Sequence, residues 1–510
     1  MPAAGPAAAA VAHPATAPFL FPIVPDPGRR PPSQVSVAGP FTLHPAKAHD
    51  EASRAQYRAV RMSHVGADTR RLPLLDLLAY SLPTASVAYL GLLIGLYFFK
   101  YATDVLLIEP AVIGTVFLLA RVWDAISDPL AGYLSDHTRT RLGRRRPWLL
   151  AAAVPMALAG LAPWSPPAGL HGFALVAWVA AGLLVWETVA TAFAVPHTAL
   201  GAELSMDHHE RTRIFAFRHV ASGIGFILVA AALEAMTTAD DKRTTALWLA
   251  LSGGLLSTLL IGLAVGRLRE REEHLGRATT RPLAALADVW RNEHARLLLI
   301  VFLIESLGSA TLGVLGPYLT HYLLGDESLF VMLLVSYFVP SLLFVPVGLP
   351  LSRRFGKKAT WVASMALSGL AFGLLFFAAP GRGWLVAVSG VGAGIGGAIG
   401  AMVGPSVQAD VIDYDEYQTG ERKEGTYFAV WNFVRKCAGG LIGWLTGLTL
   451  QFVGFEPNVD QTGTTLLAIR LLIGVFPFVA FAAGSLLFLR FRLIETEHAR
   501  IRRELDARAH

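Results

Sequence analysis

From Leu72 onward the chain keeps returning to apolar stretches of the length that crosses a hydrocarbon core, about 20 residues of helix. They lie at 73–101, 111–136, 147–165, 172–202, 214–236, 245–266, 294–324, 329–352, 359–379, 384–412, 425–453 and 464–491. The reading is therefore an all-α membrane protein with twelve transmembrane helices. Composition agrees: 54% of the 510 residues are hydrophobic and only 16% charged, against about 25% charged in a soluble globular chain. Too few charges remain to solvate a large soluble surface. Several stretches contain helix breakers, among them Pro83, Pro196, Pro340 and the glycines from Gly390 to Gly400. Within a membrane bundle these permit close packing and kinks.

The formal charge of +6 does not point to nucleic acid, because the basic residues sit in short clusters between apolar segments rather than along one groove. A lone Cys437 excludes an intrachain disulfide and any multi-cysteine metal site. There is no P-loop, nucleophile elbow or metal-spaced His/Cys set, which argues against a membrane enzyme or sensor. No cofactor is expected. Residues 1–70 read as a disordered cytoplasmic arm rich in Ala and Pro, with no basic start before a compact apolar core and so no signal peptide. Met62 is a candidate alternative start, which N-terminal sequencing of the native protein would decide.

The loops set the topology. Arg139 to Arg146, Arg211 and Arg213, Arg267 to Arg291, Arg353 to Lys358, and Arg422 with Lys423 occupy alternate connections. The intervening ones hold little beyond Lys242, Arg243 and Arg382. The positive-inside rule then places both termini in the cytoplasm of a plasma (inner) membrane protein. The chain also repeats: GYLSDHTRTRLGRRRP after the second helix is echoed by GLPLSRRFGKKATW after the eighth. Two six-helix halves, 71–266 and 294–491, are joined by a cytoplasmic linker at 267–293 and followed by a cytoplasmic tail at 492–510. This arrangement resembles the major facilitator superfamily, whose fold implies a substrate cavity near the midplane between the halves.

Chemistry concentrates on the second helix. At about 100° per residue Asp124, Ser127 and Asp128 share one face, and a central Asp costs roughly 2.5–3.5 kcal/mol on insertion scales. That face must look into the bundle. Paired carboxylates with a hydroxyl between them suit sodium, which wants oxygen ligands, or a proton, because repulsion within a close acid pair favours protonating one member. The competing reading is an internal ion pair in which Arg121 neutralises Asp124.

Two long segments carry a more specific resemblance. ARVWDAISDP with the TRTRLGRRRPW hairpin, and QADVIDYDEYQTGERKEGTYFAVWNFVRKCAGG downstream, resemble the glycoside, pentoside and hexuronide cation symporters, the family of melibiose permease. Weaker likeness covers ATAFAVPHTALGAEL and FRHVASGIG. The resemblance implies a cation site at Asp124, Ser127, Asp128 and Thr191, with Lys436 balancing charge when the cation leaves. Ser127 stands where melibiose permease has an amide. The two acids with which that permease grips sugar hydroxyls align with Ala88 and Ala194, whereas the sugar-facing arginine is matched by Arg218. Ser86, Tyr89, Trp186, Glu187, His197, Trp431 and Asn432 are candidates to meet a hydroxylated ligand, with Glu187 the leading new acid. Asp410, Asp413, Arg422 and Arg211 form a candidate cytoplasmic gate of ion pairs between the halves; Tyr414 and Glu416 belong to the motif without a separate physical account. The expected function is cation-coupled symport of a sugar or glycoside by a monomer in the bilayer. The alternative is transport of a lysolipid or other amphiphile, since the two alanines make the cavity less polar.

Overall fold

In a computed structural model of the chain, the described residues are 71–205, 207–270, 289–420, 423–493 and 495–509. The expected arm at 1–70 with Met62, most of the linker and Arg422 lie outside them. The apolar stretches become twelve helical passages: α1 Leu74–Asp104, α2 Pro110–His137, α3 Arg146–Trp164, α4 Gly172–Glu203, α5 His208–Thr238, α6 Lys242–Arg267, α7 Glu293–Leu323, α8 Leu329–Leu343 with Val345–Phe355, α9 Lys357–Phe377, α10 Trp384–Thr419, α11 Glu424–Phe452 and α12 Gly463–Phe488. Ten of these are long and apolar enough to cross a membrane, α5 from Glu210 onward. The bent α8, broken by 55°, makes an eleventh. The helix α11 has the length but is less apolar, because it carries Asn432, Arg435 and Lys436. Residues Glu495–Ala509 form a further charged helix, α13, within the expected tail.

Two boundaries move for the same reason. Hydropathy falls at Asp410, yet α10 continues to Thr419 and stops at Gly420, whose φ of 72° suits glycine. The helix α5 begins six residues before its apolar part, where the Asp207 carboxylate accepts the Glu210 N–H at 2.7 Å. A helix needs only satisfied ends to run on into water.

The two halves repeat in three dimensions. In the first, α1 packs on α5 and α6, α2 on α4, and α3 on α4 and α6. In the second, α7 packs on α11 and α12, α8 on α10, and α9 on α10 and α12. Both leading helices contain a π-helical turn near the same end, Ile94–Phe98 in α1 and Leu319–Leu323 in α7. Each arginine-rich hairpin turns on a glycine with positive φ, 105° at Gly143 and 82° at Gly356. Beside each glycine sits a carboxylate from just beyond its half's last helix. Glu270 accepts the N–H groups of Arg144, Arg145 and Arg146 at 2.6–2.7 Å, and Glu495 accepts that of Lys357 at 2.7 Å. Both acids thus cap the start of the third helix of their half, where the helix dipole favours negative charge.

The halves meet most extensively along α2 and α11. Glycine makes this contact: a Cβ at Gly447 would stand 2.1 Å from the Pro110 carbonyl oxygen, and one at Gly114 would stand 2.8 Å from that of Gly443. Gly447→Val is therefore expected to destabilise the protein by about 1–3 kcal/mol through overpacking, read as a lower thermal midpoint in detergent. Gly439→Val, where a Cβ meets open space, is the control and should change little.

Candidate transport site

The face of α2 opposite lipid carries Asp124 and Ser127, which are buried, and Asp128, which is partly so. Thr191 of α4 stands between the acids, donating to Asp124 Oδ1 at 2.9 Å and, as an alternative acceptor, facing Asp128 Oδ1 at 3.1 Å. Ser127 Oγ lies 3.1 Å from the Asp124 carbonyl and 3.4 Å from Thr191 Oγ1. From the other half, α11 delivers Lys436: its ammonium is 2.8 Å from Asp124 Oδ2 and 2.5 Å from Asp128 Oδ2. Asn432, one turn earlier, donates to Asp128 Oδ2 at 3.3 Å and is itself held by Arg435 at 2.7 Å. The structure thus brings Asp124, Ser127, Asp128, Thr191, Asn432 and Lys436 into one cluster.

Arg121 does not neutralise Asp124. It pairs with Glu187 of α4 at 3.1 Å, so the acid next to the pair has a cation of its own. Two carboxylates then share one ammonium, leaving one negative charge. Four oxygen-bearing side chains converge there, which is the donor type that hard cations prefer.

The remaining candidate substrate residues each have local partners, and Arg218 and His197 meet at Tyr80. Arg218 stands beside the Tyr80 hydroxyl, while Tyr89 donates to the Leu249 carbonyl at 3.0 Å. Trp431 is buried against Tyr427 and Phe428. Others serve packing: His197 stacks between Tyr80 and Phe193 with its Nε2 2.7 Å from the Tyr80 carbonyl, Trp186 is buried against Gly91 and Gly160, and Ser86 donates to Pro83. Ala88 packs where α1 and α5 approach closely at Gly225. Of the candidate gate, Asp410 pairs with Lys357 at 2.6 Å, and Asp413 faces His498 at 2.9 Å and Arg502 at 3.5 Å. These contacts lie within the second half and its following helix. Arg211 donates to the Ser205 carbonyl at 2.7 Å.

A second cluster, which the sequence reading does not contain, ties the halves at the end opposite the arginine hairpins. Lys100 pairs with Asp104 at 2.6 Å and reaches Glu327 at 3.4 Å. Lys242 pairs with Glu327 at 2.8 Å, and His321 also bonds it. Tyr322 donates to Asp104 at 2.8 Å, Asn458 donates to the Asp104 carbonyl at 2.8 Å, and Thr103 meets Tyr318 at 2.6 Å. The available signal was the i, i+4 pair Lys100/Asp104 at a helix end. Burial works against ionisation of Glu327, but the His321 hydrogen bond and the charges of Lys100 and Lys242 outweigh it, holding the carboxyl down at about 2 against an ordinary 4.5.

Comparison with known proteins places these features in context. A family model described as MFS/sugar transport protein matches residues 79–495. An uncharacterized symporter of Bacillus subtilis, YjmB, is 27% identical over 451 residues, covering 86% of this chain and 97% of that one. The glucuronide carrier protein homolog of Escherichia coli is 26% identical, covering 79% and 88%. Among solved structures, a D-xylose–proton symporter matches with a TM-score of 0.58 at 16% identity over 82% of this chain and 97% of that one, a likeness of fold.

Two expectations follow from the clusters. Lys436→Ala strands two carboxylates and should destabilise the protein by about 3–5 kcal/mol; adding Asp128→Asn should recover part of that loss, a non-additivity that a thermal-unfolding double-mutant cycle would read. Because the Glu327 carboxyl sits below its unfolded value, its contribution is fully present above about pH 4.5 and is lost as the pH falls toward 2. Glu327→Gln should flatten that acid limb in an unfolding series over pH.

Proposed function

Because the chain belongs to the MFS/sugar transport family and is a multi-pass membrane transporter rather than an enzyme, we propose that it carries out cation-coupled symport of a sugar or glycoside. The observation that supports this most is the pair Asp124 and Asp128 on one half holding a single ammonium, Lys436, from the other. The two carboxylates can hold either that ammonium or a monovalent cation in its place. Asp124, Asp128, Ser127 and Thr191 supply its oxygen ligands, and the choice is between sodium and a proton. When the cation arrives, Lys436 is displaced from the acid pair and the link between α2 and α11 loosens. When the cation leaves, the ammonium returns, so the site never carries two bare carboxylates through the membrane interior.

The substrate lies between the halves, close enough for its binding to feel that exchange. Asn432 bonds both Asp128 and Arg435, which makes it the natural connection between ligand hydroxyls and the cation site. Arg218, Glu187, Tyr89 and Trp431 are the further candidates to meet the ligand. The glucuronide carrier homolog supports a glycoside as the substrate class. Binding energy from cation and substrate together then biases the equilibrium between the two access states.

The test is uptake by proteoliposomes under an imposed sodium or proton gradient, with a panel of labelled glycosides, pentoses, uronic acids and lysophospholipids. One gradient should drive accumulation of a glycoside or sugar. Asp124→Asn with Asp128→Asn should reduce driven accumulation on the order of 100-fold, the upper range of a typical coupling free energy. Accumulation that ignores both gradients, or uptake confined to the lysophospholipids, would overturn the assignment.

A further inference from the structure

Glu305 sits near the middle of α7, twelve residues from its start, inside a run of leucine, isoleucine and phenylalanine. Acids set in the middle of other spans have cations: Asp124 and Asp128 face Lys436, and Glu187 faces Arg121. Glu305 has none among the described residues. Its surroundings are neutral, with the Trp361 indole and Ser364 hydroxyl of α9, the Tyr337 phenol of α8 and the bare backbone of Gly400 on α10. On α7 itself and on α12 the neighbours are apolar, Gly308 packing against Phe481 and Ile304 against Gly484.

These groups converge on one small niche. A Cβ at Gly400 would lie 3.4 Å from Glu305 Oε1, 3.5 Å from Ser364 Oγ and 3.9 Å from Trp361 Nε1. Trp361 is 1% exposed, and its N–H, which has no other hydrogen-bond partner, faces the Glu305 carboxyl. Ser364 donates to the Trp361 carbonyl at 2.8 Å, which leaves its lone pairs free to accept. The niche is wrong for a metal cation, which wants oxygen ligands on every side, because the indole presents an N–H donor. A bare carboxylate there would be a membrane-buried charge without a counter-charge, the least favourable state for an acid in a bundle.

We infer that Glu305 is a proton-binding site in the second half, separate from the Asp124/Asp128 pair. As a neutral acid it can meet both the indole and the hydroxyl: its carbonyl oxygen accepts from Trp361 Nε1, and its O–H donates to Ser364 Oγ. The second half then crosses its transport positions without dragging an uncompensated charge. This assignment does not depend on what the acid pair binds.

The full chain in lipid bilayers, examined by infrared difference spectroscopy near neutral pH, tests it. A protonated-carboxyl carbonyl band should be present, vanish in Glu305→Gln and remain in Asp124→Asn with Asp128→Asn. Trp361→Phe should move that band to higher frequency, because its hydrogen-bond donor is gone. Glu305→Gln, which resembles the neutral acid, should keep the wild-type thermal midpoint. A spectrum without the band, or a band that survives Glu305→Gln or ignores Trp361→Phe, would overturn the inference, while leaving the symport reading to be decided by its own uptake experiment.

Discussion

Charge balance inside the bundle is the constraint from which the rest follows. A carboxylate in a membrane interior is tolerated only if something offsets it, and the two acids of α2 find one ammonium between them. That ammonium belongs to the opposite half. The electrostatic balance of one bundle is therefore completed by the other, and the acids can keep it only while α2 and α11 are close. Thr191 and Asn432 share the load by donating hydrogen bonds, yet neither brings a charge. A site held one positive charge short, and completed across the interface between the halves, is suited to the cation exchange proposed for it.

The glycines of that interface give the electrostatics their reach. With Gly114, Gly443 and Gly447 removing side-chain bulk, the backbones of α2 and α11 come together and Lys436 can bridge to Asp124 and Asp128. At the end opposite the hairpins, Lys100, Asp104, Lys242, Glu327 and His321 join the same two halves. One boundary is thus held by two ion-pair clusters at different depths. Under the proposed symport, cation binding would loosen the deeper one and change the load on the outer one, the kind of two-state element through which binding at one place can bias opening at another.

How much of this was legible depends on the range of the interaction. The helices were, because twelve apolar runs are local patterns; so was the common face of Asp124, Ser127 and Asp128, which needs only helical geometry. Thr191 and Lys436 came from resemblance, since nothing in their own surroundings says which distant acid they meet. Glu270 and Glu495 were hidden in charge runs, and only the fold shows each one capping the third helix of its half. Glu305 is not legible in the sequence, because one acid in an apolar run makes no pattern; its meaning lies in the lack of a cation around it among the described residues. Arg121 misleads locally: one turn from Asp124 by sequence, it reaches across to Glu187 instead.

The repeat explains why the functional chemistry is so unevenly placed. Corresponding helices pack alike in both halves, so the counterpart of the α2–α11 contact is α5 against α8. Yet that counterpart meets through Phe226 and Phe338, whose rings lie 4.0 Å apart, whereas α2–α11 meets through carboxylates and an ammonium. An apolar contact is indifferent to ions and can slide or pivot at little cost. Under the proposed symport, the charged contact would change strength with its cation. The repeat supplies two equivalent halves, and breaking that symmetry in charge would let one side of the interface respond to the ion while the other serves as its bearing.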